Sequence, residues 1–130
     1  MGRQERENLY AQVIEALEQF TAYYEGRGDL QAANSWLARL LELDPLREKA
    51  HRQYMSVLAL NGQRSAALNH YKAYQRYLAR ELDIAPEAET TDLYEKIRSG
   101  ELGPGKANGG ISLSTRAKAE SNKPDRKSVV

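Results

Sequence analysis

Gly28 and Gly62 lie 34 residues apart, and so do Ala33 and Ala67, and Leu37 and Tyr71. A register that matches a turn residue, a small residue and a large apolar residue together points to one structural unit used twice. Around it the apolar residues recur at helical spacing. Leu9, Val13, Leu17, Phe20 and Tyr24 mark a first helix, ended by Gly28, the natural C-terminal stop. Asp29 is placed to cap a second helix, with Leu30, Ala33, Leu37, Leu40 and Leu41 as its apolar face. Each glycine thus turns one helix into the next, and each alanine lets the paired helices approach closely.

The second helix runs into the Asp44-Pro45 step. Proline has no amide hydrogen to lose at a helix's first position, and aspartate before it is a favoured cap, so a third helix is expected to start at Pro45. Its apolar face would be Leu46, Ala50, Tyr54 and Leu58, and it would stop at Gly62. A fourth helix carries Ala67, Leu68, Tyr71, Tyr74 and Leu78; Pro86 offers a first position for a short fifth one using Leu93, Tyr94 and Ile97. The expected fold is all-α: five helices in about two and a half hairpin repeats of tetratricopeptide length over residues 1–100. Tyr23, Tyr77 and Trp36 fall beside the apolar stripes, where they suit a protein contact or packing between repeats.

The texture changes after residue 100. Five glycines fall within residues 100–110, and a Ser/Lys/Arg-rich end follows, with too little apolar surface to offset the entropy of ordering. Residues 101–130 are therefore expected to form a flexible tail. Charge divides at the same place: 13 Lys/Arg against 15 Asp/Glu up to residue 100, and 6 against 3 beyond it. A near-neutral body does not suit a surface that must neutralise many phosphates, so direct DNA binding by the folded part is not expected.

Little else in the chain points to chemistry. There are no cysteines, and the two histidines, His51 and His70, are spaced unlike metal ligands, so no metal or other cofactor is expected and both are read as ordinary helix residues. No nucleophile has a helper at a suitable spacing, which argues against an enzyme. "GELGPGKA", residues 100–107, approaches a phosphate-binding loop, but Ala107 replaces the hydroxyl residue and no buried strand precedes it. The charged start "MGRQERENLY" lacks the apolar core of a leader, and no apolar run is long enough to span a bilayer; a cytoplasmic location and no membrane contact are expected.

Three segments, "LDPLREKAHRQYM", "NGQRSAALNHY" and "LARELDIAPEAET", occur in the order and spacing of the bacterial transcriptional activator domain. Residues 5–99 resemble that tetratricopeptide-like module of OmpR-type antibiotic-pathway regulators. The resemblance implies a non-enzymatic protein-interaction module with roles in dimer contacts, in packing against a winged-helix DNA-binding domain and in engaging the transcription machinery, such as an RNA polymerase subunit. The alternative from the repeat alone is a tetratricopeptide adaptor unrelated to transcription. Family members usually carry the winged-helix domain ahead of this module, whereas this sequence opens on the module's first helix, so DNA recognition is not expected of it. Asp83 stands where the family usually has glycine, so the turn after the fourth helix is expected to be built differently.

By register with tetratricopeptide grooves, Glu15, Glu18, Gln19, Lys49, Arg52, Gln53 and Ser56 would line a concave partner-binding face. Two and a half repeats would also leave a terminal apolar face open unless the fifth helix covers it, which adds a homodimer to the expected contacts.

Overall fold

The computed structural model describes residues 2–105. Five helices follow in order: α1 (Arg3–Gly26), α2 (Leu30–Leu43), α3 (Glu48–Leu60), α4 (Arg64–Leu82) and α5 (Ala88–Ser99). There is no strand among the described residues. α1 and α2 form one hairpin, α3 and α4 a second, and α5 packs against both α3 and α4.

The register residues occupy the places the repeat requires. Gly28 and Gly62 have φ of 77° and 81°, a left-handed conformation that costs glycine nothing. Each turn is closed by a bond reaching back five residues, Asp29 N–H to the Tyr24 carbonyl at 2.9 Å and Gln63 N–H to that of Leu58 at 2.8 Å. Asp29 caps α2 by accepting the Ala32 N–H at 3.1 Å. Ala33 and Ala67 are fully buried. Two core clusters result. One joins Ile14 and Leu17 to Leu37, Leu40 and Val57; the other joins Met55, Leu58 and Tyr71 to Leu93 and Ile97. Tyr54 packs against both, so the two hairpins share one continuous interior.

Four local expectations are corrected. First, α3 begins at Glu48, not Pro45. Asp44 ends α2, and its carboxylate accepts the Arg47 side chain at 3.0 Å instead of capping a new helix. The Pro45 carbonyl is instead bonded to the His51 ring at 2.7 Å, which keeps residues 44–47 as a turn and leaves Leu46 exposed. Second, Pro86 likewise stays outside its helix, and α5 starts at Ala88.

Third, Asp83 adopts the left-handed cap usual for glycine, with φ 55° and ψ 41°. Its N–H bonds the Ala79 carbonyl at 3.2 Å, and Ile84 N–H that of Leu78 at 3.3 Å. Aspartate is among the few residues that visit this region, so the turn keeps its shape with the side chain changed. Fourth, only part of the apolar stripe read on α1 faces the core: Leu17 is buried and Tyr24 packs against the first cluster, but Leu9, Val13 and Phe20 are exposed, and Ile14 and Thr21 are buried instead.

The packed body runs slightly past residue 100, because Leu102 is buried in the second cluster beside Ile97 and Met55. The rest of the expected tail, residues 106–130, and with it the end of "GELGPGKA", lies outside the described residues. Among the described residues no helix is long and apolar enough to cross a membrane.

Candidate functional site

α5 lacks a side-chain cap of its own, and α3 supplies one. The Glu48 carboxylate accepts the Glu87 N–H at 2.6 Å, the Thr90 hydroxyl at 2.7 Å and the Tyr74 hydroxyl at 2.7 Å. An anion at a helix N-terminus satisfies orphan N–H groups and meets the favourable end of the helix dipole. Burial alone would push the Glu48 carboxyl up; the bonds from Thr90, Tyr74 and Glu87, with the Arg52 charge, outweigh it and hold it below the usual range. One turn further along α3, Arg52 donates to Glu87 at 2.9 Å and to Thr90 at 3.0 Å and lies 3.6 Å from Glu89. These bonds fix α5 beside α3.

That placement opens a groove of about 490 Å³ between α1, α3 and α5. α3 contributes Lys49, Arg52, Gln53 and Ser56; α5 adds Glu89, Asp92, Leu93 and Lys96, and α1 adds Glu25. Arg52 is committed to α5, whereas Lys49 and Lys96 have no ion-pair partner among the described residues. Burial pushes the Glu25 carboxyl up from its ordinary value. The groove therefore offers two available ammonium groups, a partly desolvated carboxyl, an amide and a hydroxyl around the Leu93 side chain. Such a lining suits binding of an extended or helical peptide segment. Behind Lys49 and Arg52 a second cleft of about 420 Å³ has a more apolar lining, including Leu46, Leu78, Leu82 and Ile84.

Of the seven residues expected on the concave face, Lys49, Arg52, Gln53 and Ser56 come together in this groove. Glu15 and Gln19 are exposed on α1 and do not line it. Glu18 serves the corner between the hairpins, pairing with Arg47 at 3.1 Å, and Arg47 also binds Asp44. The α5 residues were missed although a signal existed: Glu89, Asp92 and Lys96 form a polar stripe beside the Leu93 and Ile97 face.

The histidines, read as ordinary and separate, meet in the structure. His51 Nδ1 lies 2.8 Å from His70 Nε2, and the His51 ring stacks on Tyr74 with centroids 3.7 Å apart. A carbonyl can only accept, so the bond to Pro45 places the hydrogen on His51 Nε2, and His70 Nε2–H then donates to His51 Nδ1. Burial lowers both rings, that of His70 to about 4, where the neighbouring His51 adds to the effect. Among the described residues no group of three or more His, Cys, Asp or Glu is placed to hold a metal ion.

The model of the bacterial transcriptional activator domain family matches residues 1–98. The chain belongs to that family. Comparison with curated proteins and with solved structures found no match. In this bacterial transcriptional activator domain, the groove is built from the first helix of each hairpin and from α5, with the second helices behind them.

Proposed function

We propose that this bacterial transcriptional activator domain is a non-enzymatic protein-interaction module of a cytoplasmic transcriptional regulator, and that the groove between α1, α3 and α5 takes a segment of its protein partner. The partner is a winged-helix DNA-binding domain or a subunit of RNA polymerase. The observation that carries this reading is a peptide-sized groove in which Lys49 and Lys96 are left without ion-pair partners beside the Leu93 side chain. The near-neutral charge of residues 1–100 supports assigning DNA contact to the partner and not to this body.

A photoreactive amino acid placed at Gln53, in the groove, and separately at Ala73, exposed on α4, tests this in the bacterium. The expected result is an adduct with a DNA-binding domain or polymerase subunit from position 53 alone. An adduct with a chaperone or secretion component, or equal labelling from both positions, would favour an adaptor unrelated to transcription.

A further inference from the structure

The two histidines of the chain stand on facing helices, His51 on α3 and His70 on α4, with Nδ1 of the first 2.8 Å from Nε2 of the second. The surroundings prepare this pair to hold more than a hydrogen. His51 Nε2–H is committed to the Pro45 carbonyl at 2.7 Å, which fixes the tautomer and leaves the Nδ1 lone pair directed at His70. Metal-bound imidazoles are held in the same way, by a backbone carbonyl or a carboxylate on the other ring nitrogen. The His51 ring is also kept from turning away, because it is buried and stacks on Tyr74 with centroids 3.7 Å apart. Burial disfavours the charged form of both rings, so at neutral pH they are neutral imidazoles, the form that coordinates a metal. The carboxylates of Glu48 and Asp44 favour positive charge at the His51 ring.

We propose that His51 Nδ1 and His70 Nε2 form a two-imidazole site for a divalent transition metal such as Zn²⁺, the ion taking the place of the hydrogen they share. Zinc–imidazole bonds are about 2.0–2.1 Å long, and at a tetrahedral angle they set two nitrogens about 3.3 Å apart. Widening the pair from 2.8 Å to that spacing takes about half an ångström, which His70 can give because it is only partly buried and meets the Tyr54 ring edge-on. Protons balance: His70 loses the hydrogen on Nε2 and takes one on Nδ1, so it changes tautomer and stays neutral, while His51 keeps its own on Nε2. Among the described residues no third His, Cys, Asp or Glu is placed with the pair to hold a metal, so water fills the remaining positions and the site is an open one. The bound ion ties α3 to α4 one turn from Glu48, whose carboxylate accepts the hydroxyl of Tyr74, the ring on which His51 stacks. It therefore steadies the residues that cap α5. The metal-free chain keeps the hydrogen-sharing pair, and the site stands whether or not the groove takes a partner segment.

The untagged full chain, stripped with a chelator, is titrated with zinc chloride at pH 7 by calorimetry while NMR follows the imidazole nitrogens. Two histidines and no cysteine make the spectrum simple to assign. The expected result is one zinc per chain with micromolar affinity, His70 passing from the Nε2–H to the Nδ1–H tautomer and His51 remaining Nε2–H. His70→Gln keeps a donor for His51 Nδ1, and circular dichroism checks its fold. It is expected to weaken zinc binding by about tenfold or more, the least that losing even an outer-shell partner costs. Zinc is also expected to raise the unfolding temperature of the parent and not that of this variant. Absence of binding, imidazole resonances unmoved by saturating zinc, or an unchanged affinity in folded His70→Gln would overturn the proposal; if the variant does not fold, the tautomer change in the parent decides.

Discussion

The Glu48 carboxylate on α3 accepts the Glu87 N–H at 2.6 Å, so the helix that completes the groove is capped by the helix that forms its floor. Glu48→Ala leaves the Glu87 N–H, the buried Thr90 hydroxyl and the Tyr74 hydroxyl without this acceptor, at a cost of about 2 kcal/mol. Urea denaturation measures the loss, and hydrogen exchange is expected to place it in α5, leaving α1 and α2 protected. Equal loss of protection in every helix would show that Glu48 does not act through α5.

The paired histidines make stability depend on pH. His70 has a folded value of about 4 against 6.5 for the free side chain, so its contribution is complete above 6.5 and is lost as pH falls from there toward 4. His51, also lowered by burial, acts in the same direction. His70→Gln keeps a donor for His51 Nδ1 but removes one titrating ring. Its unfolding free energy is expected to fall less between pH 7 and pH 5 than that of the parent; an unchanged slope would exclude the pair as the cause.

Asp83 holds a left-handed cap at the C-terminal end of α4, where a negative charge also opposes the helix dipole. Asp83→Gly relieves both and is expected to stabilise the chain by about 1 kcal/mol in urea denaturation. Destabilisation would mean that the Asp83 side chain contributes a favourable contact larger than the strain.

The repeat was legible because it depends on local chemistry: Gly28 and Gly62 end helices, Asp29 begins one, and Ala33 and Ala67 sit where two helices must approach. On α1 periodicity found an apolar stripe but could not choose between two adjacent seams, because what separates Val13 from Ile14 is the position of α2. Pro45 satisfied the rule for a helix start, yet the His51 ring takes its carbonyl and the chain turns for three further residues. The contact between His51 and His70 spans 19 residues and exists only once α3 and α4 pack, so no local spacing announces it. In the groove, Lys49 to Ser56 followed from the repeat register, while the α5 residues depend on the Glu48 and Arg52 bonds that dock that helix.

The most direct test of the groove as the working surface is transcription from a regulated promoter in the native bacterium, comparing the parent with the Lys49→Glu/Lys96→Glu variant at matched abundance. Both lysines lack ion-pair partners among the described residues, so the exchange breaks no ion pair. The account predicts a loss of activation of about tenfold or more with the helical fold retained, although a glutamate in the last turn of α5 lowers stability slightly. Full activation by a folded, equally abundant variant would contradict it.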